Sequence, residues 1–265
     1  MIPNKIHYFW FGKGKKSALT EFCIESWRKN HPDFEIIEWT EENFDVTSNV
    51  YIKQAYEQQK WAFVSDYARA KILYEEGGVY LDTDMEIKSP LHEFMNYRAI
   101  CGFEIKGVPF SAFWAVEKNH PLAKDFKEYY ESQTEFLEIT NTSLFSDLLV
   151  KKYGANDQKD CYQILKEDIH LFPSNYFSLD LPKNFVTHHF AGSWHGAWST
   201  DKNTFKSYVN TYGIVKMFTD IPNGKKEVNN LIFNQKKFEI SEILDQIPFR
   251  FIVKYVVERI FKKIR

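Results

Sequence analysis

The stretch WAFVSDYARAKILYEEGGVYLDTDMEIKSP, residues 61–90, decides how the rest of the chain is organised. Its first half favours a helix with Ser65 as N-cap, since a serine hydroxyl can accept from the free amides of a first turn. Gly77 and Gly78 end this helix, because glycine enters the left-handed conformation without a Cβ clash. The apolar residues 79–81 then predict a short buried strand, and two carboxylates follow it directly.

Two pairs of charged residues in this stretch are candidates for a functional site. In extended chain, Asp82 and Asp84 lie on the same side and can converge on one hard cation such as Mg²⁺ or Mn²⁺. Asp66 and Arg69 lie three positions apart and therefore share a helix face. The structural alternatives are a solvated acidic turn for the first pair and a surface ion pair for the second.

The residues on either side of this stretch predict a parallel α/β sheet. Residues 5–11 favour a strand, residues 17–30 a helix, and residues 34–39 a second strand. Strand, helix and strand over this length form a βαβ unit with a right-handed crossover. Such sheets bind nucleotides at the carboxyl ends of their strands. Residues 98–104 and 110–116 predict two further strands.

The string SDYARAKILYEEGGVYLDTDM resembles the D-x-D core of glycosyltransferases with the GT-A fold. It is closest to family 32, which contains Och1-like mannosyltransferases and bacterial capsule and lipopolysaccharide sugar transferases, and it is similar to clostridial glucosylating toxins. The N-terminal pattern I-P-x-K-I-H-x-x-W strengthens the resemblance, which is strong over residues 1–120 and patchy to about residue 200. It implies a Rossmann-like GT-A fold, with a mixed, mainly parallel central sheet flanked by helices.

The resemblance also implies roles for particular residues. The catalytic candidates are four charged residues of the opening stretch: Asp66, Arg69, Asp82 and Asp84. The candidates for contact with the nucleotide sugar are Trp10, which stacks on the nucleobase, and the neighbouring aromatic residues Phe9 and Tyr80. A core position is the structural alternative for Trp10, and His7 is interpreted as structural.

A second cluster, THHFAGSWHGAW at residues 187–198, contains three histidines and two tryptophans. The resemblance implies that it closes over the diphosphate, with Ser193 or Trp194 donating to it. Neutral imidazole is a good Mn²⁺ ligand. Adjacent side chains alternate in extended chain, so one histidine of the pair is expected inward, and the metal set is Asp82, Asp84 and His189. A glycine-loosened aromatic corner is the structural alternative.

The function predicted from these residues is metal-dependent, retaining transfer of a sugar from a nucleotide sugar, with UDP-sugar as the favoured donor and Mn²⁺ or Mg²⁺ as cofactor. The expected acceptor is a saccharide, lipid-linked by preference, in bacterial capsule, lipopolysaccharide or exopolysaccharide synthesis. A GDP-mannose donor is the alternative within the same class. A non-catalytic sugar-nucleotide or glycan-binding module and a divalent-metal phosphohydrolase are the rivals from other classes.

Composition limits the partners and the compartment. The net charge of −2 gives no basic field for nucleic acid, so no nucleic-acid partner is expected. Three widely spaced cysteines indicate neither a disulfide framework nor a zinc site, which fits a reducing compartment. No signal-peptide pattern and no run of about 18 apolar residues is present, so a cytoplasmic location is expected.

The last residues of the chain differ in kind from the rest. Residues 250–265 contain six Lys or Arg and one Glu, a local charge of +5, and apolar residues recur there every three or four positions. This pattern predicts a basic amphipathic helix on the cytoplasmic face of an anionic membrane. Docking on the core or on a partner subunit is the alternative. The expected domains are residues 1–220, catalytic, and residues 221–265, a basic helical extension.

Overall fold

The computed structural model describes most of the chain up to residue 192 and a few positions beyond it. The described residues are 1–181, 184–192, Val209, Tyr212, Gly213, Lys216, Val253, Val257 and Ile260. The chain divides into two compact units, Met1–Trp198 and Ser199–Arg265. The boundary expected near residue 220 stays a prediction. No helix within the described residues is both long enough and apolar enough to span a membrane.

The first unit contains nine strands and six α-helices within its described residues. The strands are β1 (Lys5–Phe9), β2 (Glu35–Trp39), β3 (Gly78–Leu81), β4 (Met85–Ile87), β5 (Ala99–Ile105), β6 (Val108–Val116), β7 (Gln163–Leu165), β8 (Ile169–Phe172) and β9 (Val186–His188). The helices are α1 (Ala18–Asn30), α2 (Val50–Glu57), α3 (Trp61–Glu76), α4 (Pro121–Glu131), α5 (Asn141–Leu148) and α6 (Ser174–Phe177). Short 3₁₀ turns cover His92–Phe94 and Lys166–Asp168, and a π-helix covers Leu149–Tyr153.

Seven strands form one mixed sheet in the order β2-β1-β3-β6-β5-β8-β7. Strand β1 is parallel to both β2 and β3, and β5 is parallel to β8. Strands β6 and β7 are antiparallel to their neighbours, so five of the seven strands share one direction. The predicted βαβ unit and the predicted mixed, mainly parallel α/β sheet are confirmed.

Both faces of the central sheet are covered. Strand β3 is buried throughout, with Val79 and Leu81 in the core that includes Trp27 of α1, and Tyr80 in the core that includes Tyr67 of α3. A strand buried on both faces needs a continuous apolar sequence, as residues 79–81 have. The carboxylates that follow therefore emerge at the edge of a fixed element.

Helix α3 begins earlier than the sequence pattern indicates. It starts at Trp61, and Ser65 lies in its second turn, so the prediction of a Ser65 N-cap is wrong. The Ser65 hydroxyl instead donates to the Ala62 carbonyl at 2.6 Å, the back-bonding typical of serine inside a helix. Burial of Phe63 and Val64 stabilises the extra turn without a side-chain cap. The predicted stop is confirmed, since Gly77 has a φ of +67° and its amide donates to Leu73 at 3.0 Å.

A two-stranded ribbon of β4 and β9 holds the segment that follows the carboxylates. It pairs Met85 with His188 in antiparallel register. Helix α1 fixes the other side of β4, because the Trp27 indole donates to the Met85 carbonyl at 2.6 Å and Asn30 donates to the Ile87 carbonyl at 2.9 Å. The ribbon thus joins segments about a hundred residues apart at the edge of the main sheet.

His7 in β1 makes the fold sensitive to acid. Its Nδ1 accepts from the Trp39 indole at 3.1 Å, so the Nε2–H donates to the Gly77 carbonyl at 2.9 Å and the ring is neutral. Burial lowers the pKa of His7 from 6.5 to about 4. The unfolded chain therefore takes up a proton before the folded one, and the stability present above pH 6.5 is lost as the pH falls toward 4.

We expect the difference in unfolding free energy between the natural protein and a His7→Gln variant to shrink across this window by up to about 3 kcal/mol. Urea denaturation at several pH values measures it. Parallel pH profiles of the two proteins would contradict the assignment to His7.

Candidate active site

Arg69 of α3 is the centre of a buried network at the end of β3. Its Nη2 lies 2.8 Å from Asp66 Oδ1, and its Nη1 lies 3.1 Å from Asp82 Oδ1. Nη1 also donates to the Ser111 carbonyl at 3.1 Å, and the guanidinium lies 4.3 Å from the centroid of the Tyr80 ring. Asp66 and Arg69 are 5% and 4% exposed. The pair therefore is a buried ion pair rather than a surface one, and it ties α3 to the carboxylate turn.

Asp66 is the more perturbed carboxyl of this network. Burial raises its pKa to about 7, although the Arg69 guanidinium opposes this rise and Asp82 adds to it. Asn141, the first residue of α5, also contacts the group, and its Nδ2 donates to the Tyr130 hydroxyl at 3.2 Å. The Asn141 Oδ1 is buried and makes no hydrogen bond. A carboxyl that is near its midpoint at neutral pH can both accept and donate a hydrogen bond.

Asp82, Thr83 and Asp84 form a turn instead of the extended chain assumed from the sequence. The Met85 amide donates to the Asp82 carbonyl at 3.0 Å, and the Asp82 amide donates to the Ala112 carbonyl at 2.9 Å. The Asp82 carboxylate accepts from the Tyr80 hydroxyl and pairs with Arg69. The Asp84 carboxylate points to a different set of partners, so the two aspartates divide between two networks.

Asp84 belongs to a chain of charges with His188 and Glu104. Its Oδ2 accepts from the Ala191 amide at 2.8 Å and lies 3.5 Å from His188 Nε2. Burial raises the pKa of Asp84, but the His188 imidazolium and the Ala191 N–H outweigh burial and bring it to about 2. Burial lowers the pKa of His188, but Asp84 and Glu104 outweigh burial and bring it to about 10. The two carboxylates therefore favour the protonated form of His188 beside Asp84.

The two histidines of the pair face different carboxylates. His188 Nδ1 lies 3.4 Å from Glu104 Oε1, which gives an ion pair without hydrogen-bond geometry. His189 Nε2 lies 3.0 Å from Glu86 Oε2, and its amide donates to the Asp84 carbonyl at 3.0 Å. The imidazole that faces the Asp84 carboxylate is therefore that of His188. The assignment of His189 to a metal stays a prediction.

The donor set around Asp84 suits a hard divalent cation. Asp84 and Glu104 offer carboxylate oxygens, and His188 between them offers an imidazole once it gives up its proton. Asp82 precedes Asp84 by two residues but its carboxylate pairs with Arg69, so these groups are not gathered around one point as they stand. The carboxylates of Asp84 and Glu104 raise the pKa of His188, the direction expected where two carboxylates favour a positive charge. The residues present thus fit Mn²⁺ or Mg²⁺ in their chemistry.

A separate group of possible metal ligands surrounds His31, the residue that follows α1. Within the described part of the chain, the ligand atoms of His31, Asp33 and His92 gather within 4.8 Å of one another. The Leu91 amide, however, donates to His31 Nε2 at 3.1 Å, so a neutral His31 carries its proton on Nδ1. Neither nitrogen then has a lone pair for a metal, and His92 is engaged with Asp33 at 2.9 Å.

Trp10 follows β1 at the carboxyl edge of the sheet. Its indole donates to the Gly14 carbonyl at 2.6 Å, and the Lys16 ammonium lies 5.5 Å from its ring. It lines a cleft of about 460 Å³ together with Lys13 and Glu41. The ring is therefore partly open to solvent at the edge where parallel sheets bind nucleotides.

Of the other residues predicted to contact the nucleotide sugar, Phe9 and Tyr80 are buried, and two lie outside the described residues. Phe9 is buried, with its ring stacked on Phe11 at 5.8 Å. Tyr80 is buried between Arg69 and the sheet and reaches Asp82 through its hydroxyl. Ser193 and Trp194 lie outside the described residues.

Two groups of the site, the Ser111 carbonyl and the Glu104 carboxylate, differ in how far the sequence predicts them. The Ser111 carbonyl has none, because any residue supplies a backbone carbonyl. Glu104 is visible only as a carboxylate at the end of a predicted strand, and pairing with His188 gives it a role.

Comparison with known proteins agrees with the expectation from the sequence. Residues 17–100 match the model of a family described as "Glycosyltransferase sugar-binding region containing DXD motif". The chain is 27% identical over 227 residues to inositol phosphoceramide mannosyltransferase 1 of Schizosaccharomyces pombe, which covers 77% of this chain and 65% of that relative. The chain therefore spans just under two thirds of that protein.

Two further matches extend the comparison. The chain is 27% identical over 200 residues to the uncharacterized glycosyltransferase L373 of Acanthamoeba polyphaga mimivirus, covering 67% of this chain and 76% of that one. Among solved structures, PaToxG glycosyltransferase matches with 19% identity and a TM-score of 0.44, covering 57% of this chain and 69% of that one. The family expected from the D-x-D stretch is confirmed for residues 17–100 by the family model.

Proposed function

From the membership of residues 17–100 in the DXD-containing glycosyltransferase family, we propose that the whole protein transfers a sugar from a nucleotide sugar to an acceptor hydroxyl. The observation that supports this most is the buried pair of Asp66 and Arg69, which also pairs with Asp82 at the end of β3. Buried charges are costly and persist where a function or a fixed geometry needs them.

The roles of the four residues follow from their surroundings. Asp84, with Asp82, would hold a divalent cation, which would neutralise the charge on the leaving diphosphate. Arg69 fixes Asp66 and Asp82 in position. The Asp66 carboxyl hydrogen-bonds a sugar hydroxyl, and such a site rejects sugars that lack the hydroxyl because its own polar group is left unpaired.

The transfer forms a bond from the acceptor oxygen to the anomeric carbon and breaks the bond from that carbon to the diphosphate. The electron pair leaves with the diphosphate, and the acceptor proton passes to the departing phosphate oxygen. A retaining route through a covalent intermediate needs a carboxylate nucleophile near the sugar. Glu104 is engaged with His188 at 3.4 Å, so attack and departure on one face is the route we propose.

Two nucleotide-sugar donors are candidates. A UDP-sugar is the donor expected from the resemblance, and a saccharide or lipid-linked saccharide of the kind built into capsule or lipopolysaccharide is the acceptor. The name of the yeast relative, an inositol phosphoceramide mannosyltransferase, favours GDP-mannose and a lipid acceptor instead. A screen of nucleotide-sugar donors must therefore include UDP-sugars and GDP-mannose.

Slow hydrolysis of each sugar nucleotide in the presence of Mn²⁺ tests the proposal. We expect one donor to be cleaved to a free sugar and a nucleoside diphosphate, and a chelator to stop the reaction. Cleavage of every phosphate ester alike would indicate a phosphohydrolase. Binding without cleavage, and without transfer to any acceptor offered, would indicate a non-catalytic module.

The nucleotide cleft can be tested separately through Trp10. We expect Trp10→Ala to weaken binding of the preferred nucleoside diphosphate by about 1–3 kcal/mol, since base–aromatic stacking contributes roughly this much. Isothermal calorimetry measures it, and Tyr162→Ala, at a tyrosine that is 45% exposed elsewhere, serves as the control. Unchanged binding with a lower melting temperature would make Trp10 a core residue.

A further inference from the structure

A stripe of apolar side chains near the end of the chain lies exposed. Val253, Val257 and Ile260 are helical and are 42%, 42% and 52% exposed. On a helix of 3.6 residues per turn, positions i, i+4 and i+7 fall within an arc of about 60°. These three residues, the tail stripe, therefore share one helical face and are each about half exposed.

The sequence around the tail stripe is strongly basic. Residues 250–265 contain six Lys or Arg and a single Glu, although the whole chain carries a net charge of −2. The cations include Lys254, which lies between two members of the stripe, and Lys262 and Lys263, which follow it. Single exposed apolar residues need no explanation. An apolar face within a basic segment, however, can bind both an apolar phase and a negatively charged surface.

We infer that the tail stripe docks on an anionic lipid surface. Apolar side chains on one face enter the boundary between headgroups and acyl chains, and each nearby Lys or Arg is attracted by the negative surface potential. A second copy of the stripe is disfavoured as occupant, because it would bring two segments of charge +5 together. The inference is independent of the proposed sugar transfer.

Co-sedimentation of the full chain with vesicles tests this inference. We expect binding to vesicles of phosphatidylcholine mixed with phosphatidylglycerol, and little binding to phosphatidylcholine alone. Raised salt is expected to weaken the binding, because screening shortens the reach of the surface charge. Equal binding to both kinds of vesicle, or none to either, would overturn the inference.

Two variants separate the contributions of the apolar face and the charge. Val257→Asp with Ile260→Asp should lower the affinity for the mixed vesicles by at least about tenfold, because it places charge on the inserted face. Lys262→Gln with Lys263→Gln should do so by about tenfold without touching the stripe. The matched controls are Ile164→Asp, at an exposed isoleucine on β7, and Lys151→Gln, at an exposed lysine, and both should bind normally.

The remaining outcomes identify other occupants of the stripe. If Val257→Asp with Ile260→Asp lowers the melting temperature, the face is a structural contact and the inference fails. If the natural protein is an oligomer that this variant dissociates, and vesicles do not bind, the occupant is a second copy. If Lys262→Gln with Lys263→Gln binds the mixed vesicles as tightly as the natural protein, attraction by the anionic lipid is not what holds the stripe, and the inference fails.

Discussion

Asp84→Asn should lower the rate of sugar transfer by about a thousandfold, since removal of one group that stabilises developing charge costs this order. The amide keeps an oxygen for the Ala191 N–H, so the turn should stay folded. The negative charge beside His188 is lost, and with it the attraction for a divalent cation. Transfer rates and the Mn²⁺-dependent gain in nucleotide affinity, measured by calorimetry, check this result.

A control substitution tests whether the loss of transfer depends on the position of Asp84 or on the removal of any carboxylate. Asp180→Asn removes a carboxylate that is paired with Lys88 at the surface, 2.7 Å away, and should leave both readouts unchanged. An Asp84→Asn protein with natural activity would refute the assignment of Asp84 to the cation. A variant that binds nucleotide normally without Mn²⁺ but gains nothing from it would support the assignment.

Arg69→Met should destabilise the fold by about 3–5 kcal/mol and abolish transfer, because removing one partner of a buried ion pair leaves the other charge uncompensated. Asp66 and Asp82 both lose their counter-ion, and the Ser111 carbonyl loses a donor. The exposed pair of Arg28 and Glu25 provides the comparison, since Arg28→Met should cost at most about 1 kcal/mol. Urea denaturation measures the loss of unfolding free energy in both variants.

A double variant distinguishes stability from catalysis. Asp66→Asn added to Arg69→Met removes the uncompensated charge and should restore part of the lost stability. It should not restore transfer, because the carboxyl that bonds the sugar hydroxyl and the guanidinium that fixes Asp82 are then both altered. If the double variant transferred sugar at the natural rate, the network would be structural. If Arg69→Met were as stable as the natural protein, the buried pair would contribute nothing to the fold.

Local sequence patterns predict the first part of the fold well. The strand and helix of the βαβ unit depend on apolar spacing and on stop signals within a few residues, and the structure follows them with small shifts at the ends. The start of α3 is the exception. A cap residue was visible at Ser65, but burial of Phe63 and Val64 extends the helix past it. Tertiary packing outweighs the local signal there.

The candidate site is only partly predictable from neighbouring residues. The contact of Asp66 with Arg69 follows from helical spacing, and the structure confirms it at 2.8 Å. The link from Arg69 to Asp82 depends on how α3 packs on β3, and no local pattern contains that information. The family resemblance supplied the grouping of these residues, while the structure supplied the bonds between them.

The surroundings of Asp84 show the same limit more strongly. Alternation along an extended chain predicts that one histidine of the pair faces inward, but it does not say which. The register of β9 against β4, with Met85 opposite His188, places His188 beside the Asp84 carboxylate. The turn at Thr83 also separates the two aspartates that an extended chain would align. Register and turn geometry are set by partners far away in sequence.

The ribbon of β4 and β9 has a consequence for biosynthesis. The Ala191 amide that bonds Asp84 lies 107 residues further along the chain, and His189 lies 103 residues beyond Glu86. A nascent chain can therefore form the βαβ unit and helix α3 while the ribosome still holds the partners of Asp84. The reactive edge is completed only after residue 191 has emerged, so an incompletely translated protein carries the scaffold without a working centre.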